Sequence, residues 1–139
     1  QRIALLDFGA TRRYPRRVIE GYRKLFRGAL EGDRAGLLAG AHAIGYFPAD
    51  IKPRHREALL DLLELASEPL THVGNYDFGG SDLPLRLREA GMVLSFEKGY
   101  WHDPPADAVF LHRKLGGIYL LAARLRARVD LGRIIESHI

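Results

Sequence analysis

Ile3-Ala4-Leu5-Leu6-Asp7-Phe8-Gly9-Ala10-Thr11-Arg12 is a short apolar run closed by an acid, an aromatic ring and a glycine. Such a run reads as a buried strand ending in a turn. A strand cannot satisfy its own backbone N–H and C=O groups, so this one predicts partners. They would come from strands preceding residue 1 or from one poorly marked segment, Val93-Leu94-Ser95-Phe96. The chain is therefore expected to be incomplete at its N-terminus.

Asp-Phe-Gly occurs twice, at Asp7-Phe8-Gly9 and at Asp77-Phe78-Gly79, so the tripeptide alone decides nothing. Magnesium beside nucleotide phosphates needs a hard oxygen ligand held rigidly, and a carboxylate at the end of a buried strand meets that need. Gly9 lets the backbone turn away directly afterwards. Asp7 has this context, whereas Asp77 follows a polar loop, Thr71-His72-Val73-Gly74-Asn75-Tyr76, and precedes a helix start. Asp77 is read as loop or cap chemistry. On pattern alone Asp7 remains open between a metal ligand and the ordinary aspartate of a turn.

Working outward, the chain becomes helical. From Pro15, apolar residues Val18, Ile19, Tyr22, Leu25, Phe26, Ala29 and Leu30 recur at three- and four-residue intervals. Asp33 caps a second helix carrying Leu37, Leu38, Ala41 and Ile44, which Gly45 ends; Gly36 and Gly40 weaken it. Pro53 opens a third helix holding Leu59, Leu62, Leu63 and Ala66, with Pro69 beyond its end. Ser81 or Asp82 caps a shorter one stopped by Gly91, and residues 97–103 form a loop. Asp103-Pro104-Pro105 starts a long helix in which Gly116-Gly117 could kink the axis or admit a neighbouring backbone. Asp130 caps a last helix over residues 131–139. The expected fold is mainly α: one N-terminal strand followed by five or six packed helices in a single domain spanning residues 1–139.

Composition narrows the classes. With 139 residues, 47% of them hydrophobic, the chain can bury a core. Cysteine is absent, which rules out a disulfide framework, and the composition fits a reducing, cytoplasm-like compartment. No secretion signal is present in this segment. The apolar stretch at residues 116–123 is far shorter than the roughly 20 residues that span a bilayer. A formal charge of +4 places arginines near both ends, compatible with phosphates or an anionic membrane surface and equally with solvated helix faces. Aromatics are not interleaved with these cations, so nucleic acid is not expected. His42, His55, His72, His102 and His138 show no metal-ligand spacing. Tyr100 and Trp101 read as a loop anchor on the core rather than a stacking platform. Arginine richness leans weakly toward a bacterial source.

Leu5-Leu6-Asp7-Phe8-Gly9-Ala10-Thr11-Arg12 resembles the segment with which UbiB/ADCK proteins, atypical relatives of protein kinases, end their catalytic core. About a hundred positions on, Leu111-His112-Arg113-Lys114-Leu115-Gly116-Gly117, followed by Leu120-Leu121 and Ala123-Arg124-Leu125-Arg126-Ala127, is similar to that family's C-terminal helix signature. Asp77-Phe78-Gly79 after Glu68-Pro69 also has a counterpart there. Two long motifs in the right order carry far more weight than either tripeptide.

The resemblance implies a protein-kinase-like C-lobe fragment in which Asp7 binds magnesium between the phosphates of ATP. Gly9 and Arg12 would lie against the nucleotide, and Arg13 less surely; Arg12 would steady phosphate or lock the turn. Phe8, His112, Arg113, Lys114, Gly116 and Gly117 are then structural signature residues, with Arg113 expected in a buried ion pair. His112-Arg113-Lys114 is not the His-Arg-Asp of a kinase catalytic loop: lysine stands where a carboxylate is needed, and the motif follows the metal-binding turn. No catalytic residue is expected within the chain. The phosphate-covering loop, paired lysine, catalytic aspartate and second metal ligand would belong to a missing N-terminal lobe and catalytic loop of the same protein. With Pro15 already starting a helix there is little room for a peptide-docking platform, which favours ATP hydrolysis or a small or isoprenoid-lipid substrate. The family points to ubiquinone-type quinone synthesis and to a cytoplasmic or peripheral-membrane location. The competing reading is a non-catalytic helical module that binds a protein partner or an anionic membrane surface.

Overall fold

The structure, a computed structural model, describes residues 11–48, 50–97 and 103–138. Its first helix, α1 (Arg16–Glu31), follows Pro15, whose fixed φ suits a helix start, and turns Val18, Tyr22, Leu25 and Ala29 inward. Gly32, at φ 65°, ends it in the left-handed conformation that a side chain would resist. Asp33 then caps α2 (Arg34–Ile44) by accepting the Ala35 N–H at 3.0 Å, and Gly45 at φ 100° closes it.

So short a connection folds α2 back along α1, and glycines line the contact. A Cβ on Gly40 would lie 2.7 Å from both the Gly21 carbonyl oxygen and the Leu25 nitrogen. One on Gly28 would lie 2.6 Å from the Leu37 nitrogen. Only hydrogen fits at these positions. The glycines that make α2 a poor helix in isolation are therefore what let it reach the α1 backbone. Around this pair Val18, Leu25, Leu37, Ala41 and Ile44 form the core, joined by Leu60, Leu70 and Ala108 from later elements.

Helix α3 (Pro53–Ala66) places Leu60 in that core and carries Glu57, Asp61 and Glu64 on one face. The Arg34 guanidinium spans all three, at 3.2, 2.6 and 2.6 Å, joining the start of α2 to α3. Pro69, expected beyond the end of α3, instead sits in the first turn of a further short helix, α4 (Glu68–Thr71), with Ser67 between the two. A proline tolerated in a first helical turn marks a start as well as a stop.

Past the loop, Tyr76–Asp77 forms β1 and Arg128–Val129 forms β2, antiparallel, with Tyr76 opposite Val129 and Asp77 opposite Arg128. Neither was anticipated from the sequence. Helix α5 (Leu83–Met92) runs through Gly91, which does not stop it, and passes into a π-helical turn, Val93–Glu97. The segment proposed as a strand partner is thus helical: the wide turn buries Leu94 and leaves Val93 and Phe96 exposed.

Helix α6 (Ala106–Arg124) begins after Pro105 and continues through Gly116-Gly117; among the described residues no neighbouring atom comes within 4 Å of a Cβ at either glycine. It closes with the Ala127 N–H donating to the Ala122 carbonyl at 2.9 Å, which sets Arg126 at a left-handed φ of 50°. Asp130 caps α7 (Leu131–Glu136) by accepting from the Arg133 N–H. The described part is mainly helical, as expected, with seven α-helices; the strand proposed at residues 3–6 lies outside the described residues.

Adding a methyl group at Gly40 forces α1 and α2 apart, so Gly40→Ala is expected to lower stability by roughly 1–3 kcal/mol. Gly91→Ala, where no neighbouring atom stands within 4 Å, should be neutral or slightly stabilising. Urea unfolding of both variants checks this; equal midpoints would remove the glycine contact as the reason these helices approach so closely.

Candidate functional site

The second signature, residues 111–127, begins one turn into α6 and runs past its end, and the first turns of the helix lie opposite α1 and the segment around residues 11–14. Asp107 lies in the first turn of α6, where the helix dipole favours a carboxylate. Its Oδ1 accepts from Arg12 Nε at 3.0 Å and Nη2 at 2.6 Å. One turn on, Phe110 lies beneath the same guanidinium, 4.4 Å from ring centroid to Cζ. Arg12 is thereby clamped by charge on one side and a ring on the other.

His112 faces inward from the next turn. The residue as a whole is exposed, yet Nε2 is turned onto two buried tyrosines, 2.5 Å from the Tyr46 hydroxyl and 3.2 Å from that of Tyr22. The two hydroxyls are 2.9 Å apart. The imidazole also stacks on Tyr46, with centroids 5.7 Å apart and planes 15° from parallel. An unprotonated Nε2 accepts from one tyrosine hydroxyl while the other hydroxyl donates to its neighbour, and burial pushes the imidazole below its ordinary pKa while pushing both phenols up. This cluster is what the signature histidine does here: it fastens α6 to α1 and to the turn after α2.

Arg113 was expected in a buried ion pair. It is exposed, and neither it nor Lys114 has an ion pair or hydrogen bond among the described residues. Position explains the difference: Arg113 and Lys114 follow Phe110 by three and four residues and share its outward face. Gly116 and Gly117 stand exposed farther along. Asp7, Phe8 and Gly9 lie outside the described residues, as do Tyr100, Trp101 and His102.

Asp77 is a turn residue in detail. Its Oδ1 accepts the N–H groups of Gly79 and Gly80, each at 3.1 Å, and Oδ2 pairs with Arg128 at 2.9 Å. The bond from Gly80, with help from Arg128 and Gly79, holds its pKa below the usual carboxylate value. Phe78 is buried between Tyr76 and Tyr119, and its N–H donates to the Ala127 carbonyl. Gly79 leaves room for the turn: a Cβ there would lie 3.0 Å from the Arg126 Cα. Glu68 reaches the same corner, accepting from the Tyr76 hydroxyl and pairing with Arg86. The second tripeptide thus pins the end of α6, and it holds no metal-ligand cluster. Among the described residues no group of three acidic or histidine side chains could hold a metal ion.

Sequence reasoning missed Asp107, Tyr22 and Tyr46. Asp107 sits beside a strong helix-start signal but reads there only as first-turn acid. The tyrosines are 90 and 66 residues from His112, and no local pattern links them.

No family model matches the chain. Along nearly its whole length, however, it is homologous to a group of atypical kinases. The mitochondrial atypical kinase coq-8 of Caenorhabditis elegans is 30% identical over 136 residues, covering 98% of this chain and 18% of that protein. Mitochondrial atypical kinase COQ8 of Saccharomyces cerevisiae is 30% identical over 99% of this chain and 27% of its own length. Atypical kinase COQ8B of Rattus norvegicus, also mitochondrial, is 28% identical over 92% of the chain and 24% of its own length. These homologues are COQ8/ADCK atypical kinases of the UbiB family, and the chain matches their C-terminal part. It spans about a quarter or less of the length of these relatives. Their mitochondrial names do not fit the lean toward a bacterial source. Among the described residues no helix is long and apolar enough to cross a membrane.

Because burial favours the neutral imidazole, His112 stabilises the docked α6 fully above about pH 6.5, and this contribution is lost as pH falls from there toward the lower folded pKa. Thermal unfolding should therefore show Tm dropping more between pH 7.5 and pH 5 in the wild type than in His112→Asn. Parallel pH profiles for the two proteins would remove the tyrosine-bound histidine as the source.

Proposed function

We propose that this chain is the C-terminal-lobe portion of an atypical kinase-like domain, and that the whole protein is a magnesium-dependent kinase or ATPase supporting ubiquinone or related isoprenoid quinone biosynthesis. The observation that carries this reading is the homology to atypical kinases over 92–99% of the chain. Asp7 is the carboxylate assigned to the metal, with Gly9 freeing the turn behind it and Arg12 close by. Magnesium held there would neutralise charge on the phosphates of ATP. The rest of the nucleotide site belongs to the lobe and catalytic loop that this chain does not contain, so the isolated chain should not turn over ATP.

What this chain's own residues contribute is position. Arg12 stands five residues after Asp7 in the sequence and is held by Asp107 and Phe110, so the segment leading into α1 is tied to α6 at that point. The connection is also short: α1 already starts at Arg16. So brief a link supports a reaction on water, a small molecule or an isoprenoid lipid in preference to a docked peptide. Anionic membrane is a proposed partner surface on the same footing.

In the full-length protein Asp7→Asn should reduce magnesium-dependent ATP turnover by about a hundredfold or more, as expected when a metal-held phosphate clamp is lost. Asp77→Asn, which alters only the turn that pins α6, should leave magnesium-ATP binding nearly unchanged. Full activity in Asp7→Asn would favour the non-catalytic helical module.

A further inference from the structure

Between residues 12–14 and the outward face of α6 lies an open cleft of about 320 Å³, lined by Arg12, Tyr14, Phe110, Arg113 and Lys114. Its composition follows from two local facts. Phe110, Arg113 and Lys114 share one helical face, and Arg12 is laid over Phe110 by its bond to Asp107. Three cationic groups and two aromatic rings therefore converge on one concavity. The Arg12 charge is matched by Asp107; Arg113 and Lys114 have no acidic partner among the described residues.

A solvated basic helix face spreads its cations over a convex surface, where water screens them. Here they ring a recess whose walls are aromatic, and the Arg12 guanidinium is immobilised before any ligand arrives, so less side-chain entropy is lost on binding. Cations in this setting select a compact, multiply charged anion able to accept several charge-assisted hydrogen bonds at once, as a phosphate group does. The rings of Tyr14 and Phe110 add a flat apolar surface for whatever the phosphate is attached to. The volume lies at the small end of the range for small-molecule sites.

We infer that this cleft binds a small phosphate-bearing molecule, its phosphate held by Arg113 and Lys114 beside the fixed Arg12 and its body packed on Tyr14 and Phe110. The inference rests on the lining residues alone and does not use the proposed metal role of Asp7. A free phosphate ester and a phospholipid headgroup share this chemistry.

The test uses the full-length protein, with phenyl phosphate and inorganic phosphate as probes in calorimetric titrations at low and moderate salt. Phenyl phosphate should bind saturably, several-fold more tightly than inorganic phosphate, and more weakly as salt is added. The double variant Arg113→Gln/Lys114→Gln, which removes no intramolecular bond among the described residues, should weaken binding by about tenfold or more. Phe110→Leu should erase the preference for the phenyl ester while inorganic phosphate still binds. Asp7→Asn should leave phenyl phosphate binding intact, so the failure of the metal-site proposal and of this one can be told apart. Titration with phosphatidylglycerol vesicles separates the sources: competition with phenyl phosphate at the same residues assigns the site to a headgroup. No saturable binding, equal binding by the double variant, or loss of binding in Asp7→Asn would each overturn the assignment.

Discussion

Helices α1 and α2 approach until backbone meets backbone, because glycine stands at Gly28 and Gly40, where any side chain would collide with a carbonyl or an amide, and at Gly21, where it would collide with the Ile44 side chain. Close packing of this kind gains dispersion contacts along both helices, and it leaves no freedom in their relative axial position. Later elements inherit that rigidity. Leu60 of α3, Leu70 of α4 and Ala108 of α6 are buried against a surface already fixed by Val18, Leu25, Leu37 and Ile44. Tyr22 and Tyr46, which hold His112, come one from α1 and one from the turn after α2, so their hydroxyls are 2.9 Å apart only while the glycine contact holds.

The long helix α6 depends on this base at a few points. Near its start Asp107 ties it to Arg12, one turn later His112 ties it to the tyrosines, and near its end Tyr119 packs on Phe78. Between and opposite these anchors it shows Phe110, Ile118, Leu121 and Leu125 to solvent. Apolar residues on both the inner and outer faces are the pattern of a helix set between two layers. Its polar anchors are specific and individually modest, which suits an element whose placement matters more than its burial.

Much of this was legible in the sequence because it is locally encoded. Pro15, Asp33, Gly45, Pro53 and Asp130 mark helix boundaries by chemistry that acts within one turn, and the helices begin or end there or one residue away. The resemblance to these atypical kinases was legible for a different reason: two motifs a hundred residues apart keep their order. What was not legible is what depends on distance. The two-residue strands β1 and β2 exist only because Asp77 meets Arg128 across the fold, and two residues are too few to show alternation. Gly91 and Pro69 misled as stop signals because each is compatible with helix, and burial of Leu94 and Leu70 decided the matter. Arg113 stands exposed where a buried ion pair was expected, because a signature shows which residues recur without showing which way they point.

The corner where Gly79 meets Arg126 couples two positions of unequal freedom. Arg126 adopts a left-handed φ of 50°, at a conformational cost that glycine would not incur, and its Cα leaves only hydrogen-sized space at Gly79. Substitution is therefore one-directional: glycine can enter at residue 126 and relax the backbone, while nothing larger can enter at residue 79 without unmaking the turn. Sequence drift at this corner has a built-in ratchet, and the glycine of the second Asp-Phe-Gly is fixed by the shape of a turn 47 residues away.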